Sequence, residues 1–96
     1  MKKTKFYIMM AGYKAKQVRG YFEYIDGVPV GLYKNIYDTW TVTELQTGLA
    51  ITQANTRKDA LKKVADLIPT IREKVLNDIK GTYTKPKEII KAAYAA

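Results

Sequence analysis

The chain has 96 residues, room for one domain, and nearly all of its 47% apolar residues are needed for a single core, which leaves little to wall a deep substrate cavity. Cysteine and histidine are both absent, which excludes disulfides, thiolate and imidazole metal sites, cysteine nucleophiles and histidine-based triads. Seventeen Lys and Arg against nine Asp and Glu leave a net charge of +8, more than solubility requires, and favour an anionic partner.

Met1 to Lys5 is basic like the head of a signal peptide, but the apolar stretch Phe6 to Ala11 is too short to continue one. No run approaches the ~20 apolar residues of a membrane span. A soluble, cytoplasmic protein with no membrane partner is expected. Residues 1–4 read as a flexible basic arm, and 5–55 as an antiparallel sheet. Phe6-Tyr7-Ile8-Met9-Met10, closed by Gly12, reads as its first strand. The polar, basic segment Gly12 to Gln17 reads as a loop. Val18–Ile25 and Val28–Lys34 flank Asp26-Gly27, a pair suited to a two-residue hairpin turn in which both residues take positive φ. That turn pairs Ile25 with Val28, Glu23 with Val30 and Tyr21 with Leu32, leaving Phe22, Tyr24 and Tyr33 on the other face. Pro29 marks an unpaired edge near the start of its strand.

Asn35 to Asp38 is a connection. Thr39 to Leu45 alternates and is rich in β-branched residues, and Gln46-Thr47-Gly48 turns it into Leu49 to Gln53. Trp40, Val42, Leu49 and Ile51 form the expected core face, with the threonines outward or bridging strands. Thr56 reads as the N-cap of a helix over 56–80, with Ala60, Leu61, Val64, Ala65, Ile68, Ile71, Val75 and Ile79 at spacings of three and four. Pro69 predicts a kink or break near Ile68, and Gly81 suits the C-terminal cap. A last short helix or tail occupies 86–96. The whole is one α+β domain, an antiparallel sheet of four or five strands packed against a kinked or broken C-terminal helix, with a small terminal helix.

Charge is unevenly placed. Residues 1–20 carry +6 and 21–55 carry −3, whereas 56–80 and 81–96 carry +3 and +2. An anion is therefore expected at the flanks. Lys2, Lys3, Lys5, Lys14, Lys16 and Arg19 form the first candidate cluster, and each lysine near a phosphate releases counterions. Lys2 and Lys3 also suit a solubilising start, and Lys14 and Lys16 a solvated loop. The helix start adds Arg57, Lys58 and Lys62 with Lys63. There Asp59 and Lys63, Lys62 and Asp66, and Lys74 and Asp78 are spaced for i,i+4 ion pairs, whereas Lys58 and Lys62 repel at that spacing. Eight tyrosines offer stacking surfaces for bases, or serve as ordinary sheet and interface residues. Tyr13, in the basic loop, is the one picked as exposed and functional. The carboxylates Glu23, Asp26, Asp38 and Glu44 are scattered singly, and no GxxxxGK[ST], GxGxxG or GxSxG occurs, so neither catalysis nor a cofactor is expected.

Trp40-Thr41-Val42-Thr43-Glu44-Leu45-Gln46-Thr47-Gly48-Leu49, followed by Thr56-Arg57-Lys58-Asp59-Ala60, resembles small uncharacterised proteins of phages and mobile elements in Gram-positive bacteria. The resemblance covers roughly residues 30–65. The same strand, turn and helix order is similar to the amino-terminal DNA-arm-binding domain of tyrosine recombinases, whose three-stranded sheet enters the major groove. It is also similar to double-stranded-RNA-binding domains, whose last helix begins with a basic pair before an alanine. These resemblances imply a non-enzymatic nucleic-acid-binding accessory or regulatory protein, of DNA or RNA. A phage origin also implies an alternative, an inhibitor or regulator that binds a host or defence protein, as anti-CRISPR proteins do. A chain of +8 is not a nucleic-acid mimic. That alternative uses exposed sheet tyrosines as anchors and includes a homo-oligomer.

Overall fold

The computed structural model describes residues 3–78 and 80–96, with Leu76 described by its backbone only. Seven elements follow in order: β1 (Thr4–Met10), β2 (Lys14–Ile25), β3 (Val28–Lys34), β4 (Trp40–Glu44), β5 (Ala50–Ala54), α1 (Arg57–Leu76) and α2 (Thr84–Ala95). The strands form one antiparallel meander, β1-β2-β3-β4-β5, and the domain is α+β. Among the described residues no helix is long and apolar enough to cross a membrane.

The β2–β3 hairpin has the register expected of its turn. Asp26 and Gly27 both hold positive φ, and Ile25, Glu23 and Tyr21 pair with Val28, Val30 and Leu32. Val28, Val30 and Leu32 face α1 and form a core with Val42, Ala60, Val64 and Ile68. The edge expected to be unpaired near the start of β3 is joined there, since the Pro29 carbonyl accepts the Leu45 N–H at 2.9 Å beside the Val30–Glu44 pair.

Thr56 caps α1, its hydroxyl accepting the Asp59 N–H at 3.1 Å. The helix continues through Pro69, so of the expected kink or break no break falls there. Pro69 and Ala65 are both exposed, so the Ala65 carbonyl that loses its N–H partner lies on the side of the helix where water can replace it. The helix ends at Leu76 with Asn77 as its cap, short of the expected residue 80. Gly81, at φ +70, lies in the following turn and donates its N–H to the Asp78 carbonyl. Of the expected helix face, Ala65 is exposed and Ile79 lies outside the described residues. Asp78 accepts the N–H of Tyr83, and Lys87 donates to the Val75 carbonyl at 2.7 Å, which joins the end of α1 to the start of α2. That helix begins at Thr84, because Pro86 is tolerated in a first turn.

The first hairpin departs most from expectation. Lys14 to Gln17 belong to β2, not to a loop, and only Ala11 to Tyr13 turn the chain, with Gly12 and Tyr13 at positive φ. Thr4, expected in the arm, opens β1. β2 serves two ladders, pairing with β1 through Lys14–Gly20 and with β3 through Tyr21–Ile25. At the junction a side chain on Gly20 would overlap the Leu32 carbonyl. There β2 bends, and β1 crosses the face of the sheet opposite α1. Phe6 lands on Gly31, where a Cβ would lie 2.6 Å from its ring, and a second core forms from Phe6, Ile8 and Leu45 with Val18 and Tyr33. Thr41 and Thr43, expected outward or bridging strands, are therefore buried, and the Thr41 hydroxyl accepts from the Asn35 side chain. Leu49 is not in the core, because Ile51 is an extra residue in the β4–β5 ladder and Leu49 is left in the turn. The outer edge of β1 is also covered. Its Met9 N–H donates to the Gly48 carbonyl at 2.8 Å and its Tyr7 N–H to the Tyr94 hydroxyl of α2 at 3.1 Å.

Candidate functional site

Between the inner face of the β1–β2 hairpin and the covered face of the sheet lies an open cleft of about 750 Å³. Ile8, Met10, Lys16 and Val18 line it from the hairpin, and Tyr33, Thr41 and Ile51 from the sheet. Arg19 borders it at the bend, and Lys34, Asn35, Ile36 and Tyr37 form the rim. No carboxylate lines it, and of its basic residues Lys16 turns its side chain inward, whereas Arg19 shares the opposite face of the hairpin with Lys5 and the Lys34 ammonium is paired with Asp38 and lies 5.9 Å from the Trp40 ring.

The candidate bases divide by strand parity. Lys16 pairs with Ile8 and Lys14 with Met10, and cross-strand partners share a face, so both lysines stand on the cleft side. Lys5 pairs with Arg19 on the other face, beside Tyr7, against which the ring of Tyr94 packs edge-on at 4.9 Å. Lys3 is exposed just before β1, and Lys2 lies outside the described residues. Arg57 lies 4.3 Å over the ring of Tyr21 and 5.7 Å from that of Trp40, both on the α1 side of the sheet. Lys58 is exposed nearby, and Lys62 lines a shallow recess with Asp59, Lys63 and Asp66. The two basic clusters therefore lie on opposite sides of the sheet, and the hairpin half owns the cleft.

The i,i+4 ion pairs expected along α1 do not form. Among the described residues the one ion pair is Lys34–Asp38 at 3.1 Å, and both its side chains are largely in water. Lys63 instead donates to the Gln53 carbonyl on β5, and the Asp78 carboxylate serves the next turn. Glu44 is also withdrawn from chemistry, since its buried carboxylate accepts the N–H groups of Gln46 and Thr47 at 2.8 Å each. Among the described residues no group of three Asp or Glu is gathered that could hold a metal ion.

Tyr13 is half exposed, but one face of its ring meets the Lys85 ammonium at 4.7 Å. Freer apolar groups stand on the cleft rim, where Ile36 is 88% and Tyr37 79% exposed. Sequence reasoning passed over them as a connection. The available signal was two large apolar residues inside a turn, out of reach of either core. Lys34 and Lys85 were likewise missed.

Phe6 covers the sheet face opposite α1 at Gly31. No protein-family model, curated protein or solved structure matches the chain.

Proposed function

We propose that this chain is a non-enzymatic nucleic-acid-binding accessory or regulatory protein of a phage or mobile element, working in the cytoplasm. One observation carries the reading: Lys14 and Lys16 stand on the cleft face of the hairpin, and no carboxylate lines the cleft. Phosphates bind at those two lysines. Lys3, Lys5, Arg19, Arg57, Lys58 and Lys62 raise the long-range attraction from outside that face.

Anisotropy of a labelled 20-nucleotide strand and of the matching duplex, titrated from 50 to 200 mM salt, tests this. Two phosphate contacts predict an affinity loss of about 7-fold for the strand over that range. Lys14→Glu combined with Lys16→Glu should weaken binding and flatten the salt dependence. No binding to either probe at 50 mM salt, or unchanged affinity in the double variant, refutes the reading.

A second reading, a protein-binding inhibitor or regulator of a host or defence factor, draws on Phe22 and Tyr24. They form an exposed edge-to-face pair at 4.8 Å beside a recess lined by Lys5, Pro29, Leu45 and Tyr94. Aromatic anchors of this kind dominate protein interfaces. A defined protein recovered from nuclease-treated lysate by the parent chain and lost with Tyr24→Ala would favour it.

A further inference from the structure

The rim loop of the cleft combines two properties. Ile36 and Tyr37 project into water, yet the backbone beneath them is pinned. The Asn35 side chain accepts the N–H of Tyr37 at 2.9 Å and of Thr39 at 3.2 Å, and donates to the Thr41 hydroxyl at 2.8 Å. The Asn35 N–H reaches the Thr39 carbonyl at 2.9 Å, and Asp38 closes the turn with φ +62. A loop ordered in advance bears its entropy cost on folding, so an aromatic held this way binds without further loss. Leaving two large apolar side chains in water is unfavourable unless a partner covers them.

Resting on the nucleic-acid reading, we infer that the cleft takes an unpaired strand, with a base stacked on Tyr37 and the phosphates on Lys14 and Lys16. The occupant must be anionic, to match Lys14 and Lys16 on the cleft face of the hairpin and a lining without a carboxylate. It must also offer flat apolar faces, to match Tyr37 above and Ile8, Val18 and Tyr33 below. A duplex hides its base faces inside the stack and presents a convex, charged surface, which reaches neither the recessed floor nor the ring of Tyr37. A single strand splays its bases and meets both demands.

The test compares a 12-nucleotide oligo-dT and an oligo-U with a hairpin duplex carrying as many phosphates, at 100 mM salt. The single strands should bind at least tenfold more tightly than the duplex. Tyr37→Ala should weaken the strands by about 5- to 150-fold, the value of one base stack, and leave the salt slope and the duplex affinity unchanged. Tyr37→Phe should stay within about twofold of the parent, since stacking needs the ring and not the hydroxyl. Tyr37 is exposed, and an unchanged thermal melt of the variant will show that its fold is intact. A duplex bound as tightly as the strands, or a Tyr37→Ala loss below about twofold, overturns the single-strand inference and leaves the phosphate reading standing. Absence of binding to every probe at 50 mM salt overturns both.

Discussion

Gly31→Ala tests the packing that makes the cleft. The new methyl would stand 2.6 and 2.7 Å from two ring carbons of Phe6 and 2.9 Å from a methyl of Leu45. Apolar carbons rest at about 3.5–4.0 Å, so the ring must retreat by about 1 Å. It has little freedom to do so, because Phe6 is buried and β1 is tied at Met9 to the Gly48 carbonyl. Overpacking of this size costs about 1–3 kcal/mol, and the lower entropy of the unfolded alanine chain returns about 0.4–1 kcal/mol. Gly31 is not in the left-handed region, so backbone strain adds nothing. The net expectation is a loss of about 1–2 kcal/mol, read from urea denaturation at unchanged m-value. Phe6→Leu removes the clashing ring edge, and in the double variant the two costs should fall short of their sum by about 1 kcal/mol. A Gly31→Ala protein as stable as the parent, or costs that simply add, would refute the placement of β1 across the sheet.

Two further changes probe the elements that hold this arrangement. Glu44→Ala strands the buried N–H group of Thr47, leaves that of Gln46 to water, and should cost about 1–3 kcal/mol in urea denaturation, whereas Glu44→Gln, which keeps one acceptor, should cost about half as much. Pro69→Ala restores the missing N–H on a solvent-facing position of a helix that is already unbroken there, and should raise stability by about 1–3 kcal/mol, seen as an upward shift of the thermal midpoint.

The sequence determined by itself whatever neighbouring residues settle among themselves. Asp26-Gly27 sets its own hairpin, because both positions accept positive φ, and two-residue geometry then dictates the partners of Ile25, Glu23 and Tyr21. Thr56 caps α1 through the N–H three residues on, and Ala60, Val64 and Ile68 recur at the period that presents them to one side. Charge by segment was equally legible, and it located the anion-attracting bases at the flanks.

Tertiary structure decided where those bases point and what stands beside them. Gly20 and Gly31 look like weak points in strands; only when Leu32 and Phe6 arrive from elsewhere in the chain do they become the bend and the socket that fold β1 over the sheet. That one packing event buries Thr41 and Thr43 and separates the hairpin bases from those of the helix start. It also turns a run read as a basic loop into the wall of a cleft. Asn35, Ile36 and Tyr37 acquire their part at the same moment, since a connection becomes a rim only when there is something to border. Turn chemistry and periodicity act over a few residues and can be read along the chain; the meeting of Phe6 with Gly31 depends on the whole path between them.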